Sequence, residues 1–316
     1  MNAGVADALL YAARRYADVN VNREGVAATP IEGVVILREM SPSALQYAIT
    51  RPLVALVLQG RKRVTMGTET FEFSAGEFLL ITTDVPTVSQ IVAASSATPY
   101  YSLVMELDAG VIADLVSEIG SASTKLSHAV RVDRTETEVA DVALRLLRLL
   151  DRPASIAVLG RQLVRELHYW LLIGRQGSSI RALGVNGSHT NRIARAIAVL
   201  RKRYAKPLPV ETLAKAAGMS LSAFHMHFRS VTTLTPLQFQ KQLRLLEARR
   251  RLLAEGTAIS ATAYAVGYES VPQFTREYAR MFGQPPGRSI REARSQVHSA
   301  VPNNPVDGGV TWGPEV

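Results

Sequence analysis

The stretch LAKAAGMSLSAFHMHFRSVTTLTP, Leu213 to Pro236, is answered further along by TAYAVGYESVPQFTREYARMFGQPP, Thr262 to Pro286. Gly218 corresponds to Gly267, after which the second copy carries one extra residue. Phe224 then matches Phe274, Phe228 matches Tyr278 and Pro236 matches Pro286, each pair fifty residues apart. Such a repeat is one supersecondary unit used twice. In the first copy Leu213, Ala214 and Ala217 form an apolar stripe at helical spacing. Gly218 falls where a helix must stop and turn, because glycine reaches positive φ without a steric penalty. Ser220 follows as an N-cap, its hydroxyl placed for an orphan amide of the next helix. That helix directs Ala223, Phe224 and Phe228 inward, and Ser222, His225, Met226 and Arg229 outward. The second copy repeats the plan with Ala263, Ala265 and Val266, the turn at Gly267 and a cap at Ser270. Phe274 and Tyr278 point inward, while Val271, Pro272, Thr275 and Arg276 point outward. Pro272 is tolerated because the first helical turn needs no amide donor.

A short helix, a glycine turn and a second helix with a polar outer face is the motif that enters the major groove. A longer helix, Leu237 to Ala254, separates the copies. Reading helices set on one DNA face should lie about 34 Å, one helical turn, apart. The charge agrees. The 316-residue chain carries a net +9, but residues 191–296 hold 18 Lys and Arg against 6 Asp and Glu, whereas residues 1–110 hold 8 against 11. A basic module is joined to a mildly acidic one, and phosphate backbones attract the former.

These motifs (LAKAAGMS, the segment RLLEARRRLL from Arg244, and VGYESVPQFTREYARMFGQPP) resemble the AraC-type (AraC/XylS) transcriptional regulators. Two positions depart from the family pattern. Met226 stands where many members have arginine, and Thr233 where glycine is usual. The resemblance implies double-stranded DNA and RNA polymerase as partners, with activation the commoner outcome. It also reaches the N-terminal half, where PLVALVLQGRKRVTMGTETFEFSAGEFLLITTDVPTVSQIV is similar to the cupin-type sensing domain of one subfamily. A small-molecule effector bound in that barrel is implied in turn.

The residues support that reading independently. Asp7 to Tyr16 reads as an amphipathic helix, and Asn20 to Pro30 as a polar connector. From Ile31 to Leu107 short β-rich runs (IEGVVILRE, PLVALVLQG, KRVTMG, ETFEFSAG, EFLLITTD, YYSLVMELD) alternate with glycines and prolines, as in a sandwich or jelly roll. Arg51, Arg61, Lys62, Arg63, Tyr100 and Tyr101 are the polar candidates for gripping an effector, with Arg51, Arg61 and Tyr101 preferred. The 61–63 run also reads as exposed hairpin charge, and successive tyrosines on a strand face opposite ways, so at most one looks inward. Helices follow at Glu136–Leu150 and Val158–Ile173, with apolar faces for packing on the barrel or for a two-fold dimer. The expected organisation is an α+β chain: a cupin-like jelly roll with flanking helices over 1–174, a linker over 175–189, an all-α double helix-turn-helix domain over 190–296, opened by a helix from Thr190 to Tyr204, and a disordered tail over 297–316.

Several chemistries are disfavoured. With no cysteine, disulfides and thiolate chemistry are excluded, alkyl transfer included. The histidines fall at 128, 168, 189, 225, 227 and 298, no pair at helical metal spacing, and none precedes His128 in the strands. Oxygen-only ligation by Glu72, Glu77 and Asp84 competes with their reading as surface carboxylates. No cofactor or metal is expected, and no nucleophile elbow or phosphate-binding glycine loop is present. The alternative from another class is a cupin-type small-molecule enzyme tethered to DNA. No secretory signal or membrane span is expected, since Arg161, Arg165 and Glu166 interrupt the apolar run Ile156–Ile173, and the expected location is cytoplasmic.

On the outer faces, Ser222, His225 and Met226, then Val271, Pro272, Thr275 and Arg276, are the candidates for base contact. Arg276 suits bidentate bonding to guanine, and Val271 or Thr275 suits a thymine methyl. Arg229, Arg280 and the capping amides near Ser220 and Ser270 suit phosphates. Competing readings are an ion pair from Arg276 to Glu277 or Glu269, and a plain surface histidine at 225.

Overall fold

The computed structural model describes residues 3–120, 129–185 and 187–299. Contacts within the chain divide it into two compact units, Met1–Leu246 and Glu247–Val316. In the first, helix α1 (Ala3–Asn20) extends the expected Asp7–Tyr16 helix at both ends. Ten strands follow among the described residues: β1 (Val26–Ala28), β2 (Val34–Glu39), β3 (Gln46–Thr50), β4 (Leu53–Gln59), β5 (Arg61–Met66), β6 (Glu69–Ser74), β7 (Glu77–Ile81), β8 (Val85–Ala93), β9 (Tyr100–Glu106) and β10 (Val130–Arg134). They form a six-stranded sheet, β1-β2-β9-β4-β7-β10, and a four-stranded sheet, β3-β8-β5-β6. All the pairings are antiparallel.

The six expected β runs all contain strands, and β1, β3, β8 and β10 are additional. Strand β8 carries Pro86, which the sequence reading takes as a separator. The proline is accommodated because β5 pairs with β8 only from Val88 onward, so residue 86 faces β3 alone, opposite Ile49. Strand β3 buries none of its side chains fully and so shows no strong alternation.

Helices α2 (Ala109–Ile119), α3 (Thr137–Leu149), α4 (Pro153–Ile173) and α5 (Gly177–Gly184) join α1 against the outer face of the six-stranded sheet. Asp108 caps α2, accepting from the amides of Gly110 and Val111. The α3 apolar face, with Val139, Val142, Leu146 and Leu149, is buried inside this core. The Gly/Ser-rich stretch expected as a linker contains α5, whose Ile180 is fully buried. Its glycines serve close approach: a Cβ at Gly177 would lie 1.9 Å from the Leu172 carbonyl oxygen, and one at Gly184 2.7 Å from the Ala113 nitrogen.

A second core fills the sandwich and continues into α6 (His189–Arg203), α7 (Val210–Ala217), α8 (Leu221–Thr232) and the start of α9 (Pro236–Arg250). The other compact unit takes the end of α9, which passes into a single π turn, Arg251–Glu255, closed by Gly256 in the left-handed region. It continues as α10 (Ile259–Ala265), α11 (Val271–Phe282) and α12 (Pro286–Ser299). Residues 297–299 of the expected tail thus belong to α12; residues 300–316 and His128 lie outside the described residues. The architecture is the α+β one expected, a β-sandwich with helices followed by an all-helical double helix-turn-helix domain.

Candidate functional site

Both repeat copies are helix-turn-helix units built as their residues require. Gly218 closes α7 at φ 62°, and its amide returns to the Lys215 carbonyl. Arg192 of α6 donates to the freed Ala217 carbonyl at 2.8 Å, so the turn is held from outside as well. Ser220 then caps α8 through the Ala223 amide at 3.3 Å. Phe224 and Phe228 are wholly buried and continue into Phe239 with ring centroids 5.4 and 5.5 Å apart. In the second unit Ser270 caps α11 through the Gln273 amide at 3.4 Å, with Pro272 in the first turn. Phe274 and Tyr278 are wholly buried within an aromatic row running from Tyr268 to Phe282. One detail differs from the sequence reading. Ala265 is exposed, and the buried stripe of α10 is Thr262, Ala263 and then Val266, the threonine hydroxyl being paired with that of Thr257.

The outer faces carry the residues singled out for DNA. Ser222, His225, Met226 and Arg229 are exposed on α8, Met226 to 60%. Pro272, Arg276 and Arg280 are exposed on α11, with Val271 and Thr275 half-exposed beside them. The competing ion pair for Arg276 is not made. Glu277 is engaged by the Tyr268 hydroxyl at 2.8 Å and by Gln273 at 3.3 Å, and Arg276 forms no salt bridge among the described residues. His225 and His227 diverge as expected: His227 turns inward and stacks on His189 with centroids 3.8 Å apart. Burial, then His189 and Arg192, hold the His227 pKa below the usual histidine value.

The sandwich cavity rearranges the effector candidates. Its volume is about 100 Å³, and its walls include Leu53, Lys62, Phe73, Tyr100, Ser102 and Val104. Arg51 is exposed and not among the lining residues. Arg61 and Arg63 point outward and share Glu72, at 3.2 and 2.9 Å. Tyr101 faces the opposite side of its sheet, donating to Asp18 at 2.5 Å under α1. Lys62 and Tyr100 enter the cavity instead, for a reason the alternation contains. Lys62 shares strand parity with the buried Val64 and Met66, and Tyr100 with Ser102.

Burial lowers the Lys62 ammonium to a pKa of about 8, against an opposing pull from Glu39. Burial pushes the Tyr100 phenol well up. The carboxylates considered for metal go to separate partners: Glu72 to its two arginines, Glu77 to Ser74, Asp84 to Arg201. His168 is a core residue, accepting from the Asp108 amide at 3.0 Å while its other ring nitrogen meets the Val164 carbonyl at 2.8 Å.

Sequence reasoning missed a seam inside the first compact unit, where the sandwich meets the first helix-turn-helix. Asp84, after β7, pairs with Arg201 of α6. The Ala129 amide donates to the Val231 carbonyl of α8 at 3.2 Å. The Thr233 hydroxyl donates to the Met66 carbonyl of β5 at 3.3 Å. Thr233 caps α8 at φ 61°, the only non-glycine positive φ among the described residues. Where glycine is the usual family residue, this chain accepts backbone strain and gains a contact to the sandwich.

The comparisons with known proteins agree with this geometry. The family model described as AraC-type transcriptional regulator N-terminus matches residues 30–179, and one described as a helix-turn-helix domain matches 213–292. The chain belongs to the AraC-type transcriptional regulators, a family of regulators and not of enzymes. Among curated proteins it is 30% identical over 106 residues to the HTH-type transcriptional activator RhaS of Pectobacterium atrosepticum, covering 34% of this chain and 38% of that protein. It is 37% identical over 93 residues to the RCS-specific HTH-type transcriptional activator RclR of Escherichia coli, covering 29% and 31%. These matches span 38% and 31% of the two relatives' own lengths. Among solved structures, unsaturated fatty acid-bound ToxT from Vibrio cholerae superposes with TM-score 0.53 at 10% identity, covering 82% of this chain and 93% of that one. A further ToxT structure gives 0.51 at 11%, covering 82% and 96%. At such identity the likeness is one of fold. No helix among the described residues is long and apolar enough to cross a membrane.

Proposed function

We propose that the chain is a sequence-specific transcription activator that reads DNA with α8 and α11 under the control of a small molecule bound in the sandwich. The observation that carries this is the pair of capped helices, each fixed by two buried aromatics and each presenting a polar, basic outer face. Ser222, His225 and Met226 of α8 and Val271, Pro272, Thr275 and Arg276 of α11 meet base edges, while Arg229 and Arg280 hold phosphates. Met226 replaces a cation by an apolar tip, so α8 reads fewer polar base edges than α11. The activator names of RhaS and RclR support activation, with RNA polymerase as the protein partner. A ligand in ToxT and the seam around Asp84–Arg201 and Thr233–Met66 support effector control: a ligand altering the sandwich shares a core with the first reading unit. The exposed Val158 and Leu159 of α4 supply an apolar surface for a homodimer. The protein acts in the cytoplasm.

Hydroxyl-radical footprinting on fragments selected by the purified chain tests the reading. Two protected windows about one helical turn apart are expected from two reading helices. Uniform protection without preferred fragments would refute it.

A further inference from the structure

We propose that the sandwich cavity binds a short-chain organic anion, a carboxylate on a small apolar body, through Lys62, Tyr100 and Ser102. The proposal deepens the reading of the sandwich as an effector domain and rests on it.

Three observations converge. Lys62 extends from β5 into the cavity, and its ammonium makes no hydrogen bond or ion pair among the described residues. Its opposite charge, Glu39, acts from a distance: that carboxylate packs beside Gly25, where an added Cβ would lie 2.5 Å from Glu39 Oε1. On the facing sheet, Tyr100 Oη and Ser102 Oγ are fully buried, and neither hydroxyl has a protein neighbour to bond beyond the other. The two hydroxyls stand two residues apart on one face of β9, so both address the same space. The remaining wall is mostly apolar, with Leu37, Leu53, Leu79 and Ile81 prominent; its polar members are Ser89 and the pair Thr50 and Thr87, whose hydroxyls bond each other at 2.7 Å.

The chemistry of this set selects its ligand. An ammonium and two hydroxyls offer donors to one acceptor group, and a carboxylate accepts several hydrogen bonds at once. Water satisfies hydroxyls but brings no charge to an ammonium drawn largely out of solvent, and such charges are ordinarily paired. A polyol leaves the cation unneutralised. The volume, about 100 Å³, is well below the roughly 300–1,000 Å³ of drug-sized pockets, which limits the body to a few carbons. The low Lys62 pKa fits a cation awaiting its counter-ion, with Glu39 and Tyr100 the other titrating groups at the site.

The test is calorimetric titration of the full-length chain with butanoate and hexanoate, with butanamide and hexanamide as neutral matches and hexadecanoate as a long-chain control. DNA affinity is measured in parallel. The two short acids should bind wild type, and the amides about tenfold or more weakly. Lys62→Met should abolish binding of the acids. Tyr100→Phe, which removes a hydroxyl whose one protein neighbour is Ser102 Oγ, should weaken it several-fold with melting little changed. Amides binding as tightly as acids, acids binding Lys62→Met as wild type, hexadecanoate binding best, or no short acid binding at all would each overturn the proposal. Lys62-dependent binding that leaves DNA affinity unchanged would keep the anion site and overturn effector control instead. A change in DNA affinity elicited only by the neutral amides would do the reverse.

Discussion

Replacing Lys62 by methionine should stabilise the protein. In the sandwich the ammonium titrates at about 8, against 10.5 when free, so the folded state releases a proton the unfolded chain keeps. Because the folded pKa is the lower, stability rises with pH between those two values, and the cost of the charge is greatest below them. A difference of 10.5 minus about 8 corresponds to roughly 3 kcal/mol at 1.36 kcal/mol per pH unit. Methionine keeps a flexible stem of similar length and removes the charge, so most of that cost should be recovered at pH 7. Urea unfolding of wild type and Lys62→Met at pH 7 and pH 10 gives the comparison. The variant should be more stable by about 1–3 kcal/mol at pH 7, with the gain largely gone at pH 10. A variant less stable at pH 7, or a gain equal at both values, would refute the reasoning. If Lys62→Met gains stability and loses butanoate together, the lysine is retained for binding and against stability.

Arg276→Ala, at an exposed position without an ion pair, should leave folding unchanged and cost about 1–3 kcal/mol of specific affinity, relaxing one base position; Arg280→Ala should instead weaken all sequences alike and reduce the salt slope by about one, both read by fluorescence anisotropy. His168 and His227 are held neutral by burial, so stability should be level above a pH of about 6.5 and fall below it, with His227→Phe flattening part of that fall in pH-dependent melts. Asp84→Asn should destabilise the first compact unit by about 1 kcal/mol and raise amide exchange in α6 before it does so in α3, since only α6 bears the partner arginine.

The helix-turn-helix pair was legible because its signals are local. A glycine at positive φ, a serine cap three residues before its amide, and aromatics at helical spacing each act within one or two turns. The outward faces of α8 and α11 follow from that periodicity alone. The cavity was half legible. Strand parity places Lys62 with Val64 and Met66, but reading 61–63 as a block of charge hid the central residue. Between Tyr100 and Tyr101, alternation says that only one looks inward; which one depends on α1 covering the other face, and nothing within β9 encodes that. The seam could not be read at all. Thr233 reaches Met66 across 167 positions, and Arg201 reaches Asp84 across 117, so their pairing exists only once the sandwich has formed. Nor do Gly177 and Gly184 differ in composition from flexible-linker glycines, although they mark places where backbones nearly touch.

The central claim is sequence-specific reading of DNA, and competition binding tests it most directly. Purified full-length protein is titrated onto DNA from its own upstream region, against scrambled competitor, at two salt concentrations. The account predicts a complex that survives competition at the higher salt and is weakened by Arg276→Ala. Binding confined to low salt, indifferent to sequence and to Arg276, would contradict it.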